Sequence, residues 1–329
     1  MISARGLSRR FRTKRGAVEA VRGVDLEVDE GEIVGFLGPN GAGKTTTLRM
    51  LTTLLVPTAG EATVAGLDLR QDPLGVRRRI GYVAQAGGAD PACRVREELV
   101  QQGAFYRLPA SEAQARADEL IGRLELEGLE DRAVKSLSGG QRRRLDVALG
   151  LVHGPRLVFL DEPTTGLDPQ SRANLWTHVR GLRDGAGTTV FLTTHYLDEA
   201  DALCDRIFVI DEGRIVAEGS PDGLKRRVSG DVVTIEVADA AQAERAGRLL
   251  CDGAGREAGI REVSLAGQTL RLTVERGEVA MVAVMRSLDS AGLTLGSIAM
   301  ARPSLDDVFL TLTGRSLRDG ETSQWKGAA

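Results

Sequence analysis

The chain has 329 residues, 42% hydrophobic and 27% charged, with a formal net charge of −3. Those proportions describe a globular protein of one large and one smaller domain, and give no basic surplus for holding nucleic acid. Aromatic residues make up 4%, too few for a base-stacking surface, and three scattered cysteines (Cys93, Cys204, Cys251) fit reduced thiols in a cytosolic protein better than a metal or disulfide pattern.

Near the start, "SRRFRTK" (Ser8 to Lys14) carries the paired arginines of an export signal. The apolar core of such a signal is missing, because Glu19, Asp25, Glu27, Asp29 and Glu30 soon follow; the stretch reads as a solvated basic edge. Val24, Leu26 and Val28 alternate with polar residues, and "DEGE" then turns into "IVGFLG", the pattern of a hairpin leading into a buried strand. Gly60 to Leu69 fits a second strand pair. After Pro109 the pattern turns helical, with Ser111 and Gln114 spaced as a capping box. Helix dominates until the apolar strand "RLVFLDE", Arg156 to Glu162, and further strands fit Thr188 to His195 and Arg206 to Val216. This alternation predicts an α/β fold with a wound sheet containing parallel strands.

Near residue 229 the pattern changes to strand, helix, strand, strand, helix, strand, and Ser304 and Asp307 are spaced to cap one more helix. The expected domains are therefore 1–228, with a helical subdomain at about 86–155, and a small α+β domain at 229–315, followed by a polar tail at 316–329. The longest aliphatic run, Val279 to Met285, is far too short to span a bilayer.

"GPNGAGKT" (Gly38, Pro39, Asn40, Gly41, Ala42, Gly43, Lys44, Thr45) follows a predicted strand and opens a helix, the context that makes such a loop a phosphate cradle. Its backbone N–H groups curl around a β-phosphate, Lys44 reaches the β- and γ-oxygens, and Thr45 can hold Mg²⁺. "LVFLDE" delivers Asp161 to a strand end, suited to holding Mg²⁺ through water, with Glu162 next to it as a general base for the attacking water. No NKxD segment reads guanine, which disfavours a GTPase. A second turn, "LSGGQ", places Ser138 as the cap of a helix whose free N–H groups form another anion site. A loop that already surrounds its own nucleotide makes this second grip useful to the nucleotide of another copy, so two chains would sandwich two ATP molecules.

In their order, "GPNGAGKTT", "GYVAQ", "LSGGQ", "LVFLDEP", "GLD" and "TTH" resemble the ATP-binding subunits of ABC transporters over about residues 1 to 228. The resemblance implies that Thr46 extends the loop, that Ser138, Gly139, Gly140 and Gln141 face the partner's nucleotide, and that Gln85 senses Mg²⁺ and communicates with a membrane partner. It further implies that Asp168 crosses to the other subunit, that His195 contacts the γ-phosphate, and that Phe11 stacks on adenine. "AEGSPDGLK" and "PSLDDVFLTLTGR" are similar to the daunorubicin/doxorubicin-resistance ATPases, which implies drug export through a separate permease at the cytoplasmic face of the membrane. "CRVREEL" (Cys93 to Leu99) departs from that group, leaving the permease and cargo unnamed. An importer ATPase with a ligand-sensing C-terminal domain stands as one alternative. A soluble repair or translation ATPase is another, though Lys44 and Ser138 are too close for a coiled-coil insertion and the chain holds one cassette. The small domain reads equally as a regulatory or a dimer-stabilising module.

Overall fold

The computed structural model describes residues 1–14, 16–228, 230–251, 259–301 and 304–313, and divides into two units between Ser220 and Pro221. The first contains β1 (Ile2–Thr13), β2 (Gly16–Val28), β3 (Ile33–Leu37), β4 (Ala59–Val64), β5 (Leu67–Asp68), β6 (Ile80–Val83), β7 (Leu157–Asp161), β8 (Thr189–Thr194), β9 (Arg206–Asp211) and β10 (Arg214–Gly219). Its helices are α1 (Lys44–Leu51), α2 (Pro73–Arg79), α3 (Val95–Phe105), α4 (Ala110–Arg123), α5 (Gly139–Leu151), α6 (Pro169–Ala186) and α7 (Leu197–Leu203).

Six strands form the central sheet in the order β10-β9-β3-β8-β7-β6, parallel except for β10. Every residue of β3, β7 and β8 is buried, which is why these strands read as unbroken apolar runs. Phe36, Phe159, Phe191 and Phe208 meet between them at tilted angles, with ring centroids 5.5–6.4 Å apart. The register aligns Leu37 with Thr194 and Asp161 with Thr193, so three strands end together at one edge. In a wound parallel sheet that carboxyl edge is where ligands bind.

A second sheet, β2-β1-β4-β5, is antiparallel throughout. It corrects the expected hairpin: β2 does not pair with β3 but with β1, Thr13 facing Gly16, and β3 starts the other sheet. The expected pair within Gly60 to Leu69 is β4 with β5, closed at Ala65 (φ 50°) and Gly66 (φ 77°). Between β6 and β7 the chain is helical, and α3 packs against α4 and α5. The expected capping box at Ser111 does not form. Pro109 is the N-cap residue and its carbonyl accepts from the Ala113 amide at 2.9 Å, so α4 begins before Ser111.

The second unit is a four-stranded antiparallel sheet in the order 260–266, 269–274, 231–237, 295–301. Helices Ala240–Cys251 and Gly277–Ser290 bury Ala243, Ala246, Leu250, Ala280, Val284 and Leu288 in its core. This is the βαββαβ order of ferredoxin-like domains. Helix Pro221–Val228, which the sequence reading placed at the end of the first domain, packs instead on Leu305–Thr313 of the second unit. Ser304 and Asp307 cap that last helix reciprocally, Ser304 N to Asp307 Oδ2 at 2.8 Å and Asp307 N to Ser304 Oγ at 3.2 Å. Residues 316–329 lie outside the described residues. Among the described residues no helix is long and apolar enough to cross a membrane.

Candidate functional site

Gly38 to Gly43 leave the end of β3 and close over the start of α1. Gly43 takes φ 105°, and a side-chain carbon there would lie 2.5 Å from the Ala20 carbonyl of β2. At Gly38 such a carbon would lie 2.2 Å from the Ile210 carbonyl. The Gly213 amide, from the β9–β10 turn, holds the Ala42 carbonyl at 2.9 Å. The loop is therefore clamped from both sheets. Pro39 is half-buried, Asn40 and Gly41 are exposed, and Thr45 and Thr46 are half-buried at the first turn of α1.

Lys44 is 4% exposed. Its Nζ donates to the Gly38 carbonyl at 2.7 Å and the Pro39 carbonyl at 3.1 Å, and lies 3.3 Å from Glu162 Oε1. Burial lowers its pKa, and the Glu162 and Asp161 charges oppose that shift. Asp161, 1% exposed, accepts from Thr45 Oγ1 at 3.0 Å and Thr193 Oγ1 at 2.7 Å on the same oxygen.

Glu162 turns the chain out of β7 in the left-handed region, at φ 44°. Its amide donates to the Thr193 carbonyl and hydroxyl at 3.1 and 3.0 Å. Gln85 Nε2 donates to Glu162 Oε2 at 3.0 Å, Thr165 Oγ1 donates to it at 3.2 Å, and His195 Nδ1 stands 3.3 Å away. Burial would raise the Glu162 pKa, but the His195 contact and the Lys44 charge bring it down to about 2. Lys44, Thr45, Gln85, Asp161, Glu162 and His195 thus form one continuous cluster at the sheet edge.

Ser138, Gly139, Gly140, Gln141 and Asp168 form another group. Ser138 Oγ accepts from the Gln141 amide at 3.3 Å, and Gln141 Oε1 accepts from the Ser138 amide at 3.0 Å, a reciprocal cap on α5. Asp168 caps α6 through the Ser171 amide at 2.9 Å and hydroxyl at 2.6 Å. A side-chain carbon at Gly140 would lie 2.7 Å from Ser171 Oγ, so the two helix starts are neighbours. Ser138, Gly139 and Asp168 are exposed. Phe11 belongs to the β1–β2 hairpin that touches Gly43; it pairs with Val18, and the Arg9 guanidinium lies 4.8 Å from its ring.

The family described as "ABC transporter" matches residues 21–165, and the family described as "ATP-binding protein DrrA1-3-like, C-terminal domain" matches residues 219–313. The chain is 43% identical to the daunorubicin resistance ATP-binding protein DrrA2 of Streptomyces coeruleorubidus over 98% of both chains. The chain belongs to the ATP-binding subunits of ABC transporters. It is also 44% identical to the daunorubicin/doxorubicin resistance ATP-binding protein DrrA of Streptomyces peucetius, over 93% of this chain and 91% of that one. With the Nod factor export ATP-binding protein I of Ralstonia nicotianae it shares 40% identity, over 97% and 95%. Among solved structures, the ATP-binding cassette MJ0796, a dimer in a post-hydrolysis state bound to ADP and Pi, aligns with a TM-score of 0.62 and 27% identity, over 67% of this chain and 98% of that one. The structure of cbiO1 from Clostridium perfringens, part of the ABC transporter complex cbiONQ, aligns with a TM-score of 0.62 and 28% identity, over 69% and 93%. An ABC subunit of this kind binds and hydrolyses ATP.

Thr193 and Glu199 of this ABC cassette are among the groups that escape the sequence reading. Thr193 braces both Asp161 and Glu162, and its place as the first residue of "TTH", two before His195, is the available signal. Glu199, fully buried, accepts from Trp176 Nε1 at 3.2 Å, and burial raises its pKa against the neighbouring Thr194 and Thr164 hydroxyls. An acid one turn into a short helix gives no sign of burial by itself.

Proposed function

We propose that two copies of this subunit close around two ATP molecules, each held by the Gly38–Thr46 loop of one copy and the Ser138–Gln141 turn of the other. The supporting observation is the split within one chain. Lys44, Gln85, Glu162 and His195 are linked, whereas the Ser138 turn is exposed and bonds to itself. An exposed helix start whose cap bonds only within the turn suits the phosphates of a second molecule. Asp168, beside Ser171 and Gly140, borders the same opening.

In this reading Lys44 leaves Glu162 for the β- and γ-oxygens, and His195 takes the γ-phosphate as a second donor. Glu162, freed of its counter-charge, becomes more basic and orients the attacking water. The water oxygen bonds to the γ-phosphorus and gives its proton to Glu162 as the bond to the β–γ bridging oxygen breaks, and ADP departs with that electron pair. Thr45 and Asp161 fit a magnesium ion: a half-buried hydroxyl and a buried carboxylate 3.0 Å apart are hard oxygen donors, and Gln85, whose amide nitrogen is bonded to Glu162, would add its amide oxygen. When bound, Mg²⁺ supplies charge neutralisation to the phosphate oxygens. Phe11 stacks on the adenine.

The names of the relatives, which speak of drug resistance and Nod factor export, support export of a drug-like or antibiotic compound; the same reading gives the subunit a separately encoded permease and a place at the cytoplasmic face of the membrane. The test is the full chain carrying Glu162→Gln. It should retain ATP binding, lose on the order of 10²–10⁴-fold in hydrolysis, and scatter light as a dimer in saturating ATP. A monomer under those conditions would reject the shared site, and unchanged turnover would remove Glu162 from its role. Purification from membranes should bring down an integral membrane protein; its absence would reject the transporter reading.

A further inference from the structure

Helix α5 carries three consecutive arginines after its capping turn, and they do different things. Arg143 is 7% exposed. Its Nε donates to the Pro163 carbonyl at 2.7 Å and its Nη2 to the Asp161 carbonyl at 3.1 Å. Its Nη1 donates to the Ala84 carbonyl at 2.7 Å and reaches the Gln85 carbonyl at 3.5 Å. One guanidinium therefore ties the backbone on both sides of Glu162 to the backbone that carries Gln85. One turn further on, Asp146, also 7% exposed, accepts from the Gly88 amide at 3.0 Å and the Ala89 amide at 3.4 Å with a single oxygen. At Gly87, φ is 75° and a side-chain carbon would lie 2.6 Å from Asp146 Oδ2. The segment from Ala84 to Ala89 is thus clipped at both ends to the face of α5 that bears Arg143 and Asp146.

We propose that Arg143 and Asp146 are positioning residues that hold the Gln85 segment and the Ser138 turn in one rigid piece, so that Gln85 reaches Glu162 only when α5 is in place. The physical reason lies in the acceptors. A buried guanidinium with its donors on carbonyls has no cheap alternative partner, and a lysine ammonium cannot reproduce the planar fork. Displacement of α5 therefore moves the Gln85 backbone and disturbs the 3.0 Å contact from Gln85 to Glu162. This rests on the role proposed above for Gln85.

The test is a double-mutant cycle in the full chain, read as kcat, KM and ATP affinity. Arg143→Gln should lower kcat about 10–100-fold while ATP affinity stays within about threefold, because Lys44 and its loop are untouched. Added to Gln85→Ala, it should lower kcat by no more than about twofold beyond Gln85→Ala alone, since both act through one contact. Arg143→Lys should fall between wild type and Arg143→Gln. Asp146→Asn, which keeps the side-chain shape, supplies the cycle if Arg143→Gln does not fold, with the same non-additive outcome expected. Multiplying losses in the double variant, or a single-variant kcat within twofold of wild type, would overturn the proposal while leaving Gln85 in its role. A wild-type rate for Gln85→Ala would remove both. Lower melting temperature with unchanged kcat would make Arg143 structural only.

Discussion

Glu162 occupies a backbone conformation that a non-glycine residue enters at a cost, φ 44°, directly after a fully buried strand. Two hydrogen bonds from its amide to Thr193 hold it there. Lys44 is the other half of this arrangement. Lys44→Ala takes the ammonium away from Glu162 and, on the function proposed above, removes the charge that meets the phosphates. Such a variant should weaken ATP binding tenfold or more and turnover about 10²-fold or more, by equilibrium binding and phosphate release. A normal rate would contradict the loop assignment. His153 offers a separate check far from this chemistry. Its ring stacks on Tyr106 at 3.7 Å, its Nε2 bonds the Ile80 carbonyl at 3.0 Å, and burial lowers its pKa to about 4. The unfolded chain takes up a proton there near pH 6.5 and the folded chain only near pH 4. Folding stability should therefore fall as pH drops through that window, by on the order of 3 kcal/mol. His153→Gln should flatten the dependence of melting temperature on pH between 6.5 and 4; an unchanged slope would remove His153 as its source.

Among elements, the loop between β3 and α1 is set by clearance as much as by its ligand chemistry. Gly38→Ala drives a methyl into the Ile210 backbone, so β3 and β9 must part. Gly41→Ala meets nothing within 4 Å and has only its φ of 83° to resist it. Gly38→Ala should lower stability by about 2 kcal/mol or more and abolish ATP binding, and Gly41→Ala should cost about 1–2 kcal/mol in stability with binding largely kept. Thermal melts and ATP titrations of the pair would check the order. Much of this loop was legible, because strand, glycines, Lys44 and helix are contiguous in sequence. The Ser138 cap and the Ser304–Asp307 box were legible for the same local reason. The destination of β2 was not: alternation says that a strand has a buried face, not which sheet it joins. Nor was the failed cap at Ser111, where Pro109 starts the helix with its own carbonyl. Arg143 stayed hidden because its acceptors are main-chain carbonyls, which every residue carries and no spacing marks.

On the scale of the molecule, the division after Ser220 follows from where apolar faces are covered. Leu224 is 1% exposed, and its helix packs on Leu305–Thr313, where Val308 and Phe309 are buried. A chain shortened to 1–220 should bind ATP within about threefold of the whole, whereas one ending at 228 should uncover Leu224 and bind an apolar dye more strongly. Loss of ATP affinity beyond tenfold in the 1–220 chain would refute the independence of the first unit. The order of elements in the second unit was legible in outline, but its pairing was not, because strand 231–237 finds its two neighbours far along the chain, from Glu236 with Thr269 to Val232 with Ala301.

The contact between Lys44 and Glu162 makes each side chain the other's counter-ion, with 4% and 8% of their surfaces exposed. Neither charge can then be removed alone without stranding the other in a water-poor hollow, 3.3 Å from where its partner stood. On the function proposed above, the phosphate oxygens would then take the place of the Glu162 carboxylate beside Lys44, so that binding exchanges one counter-ion for another.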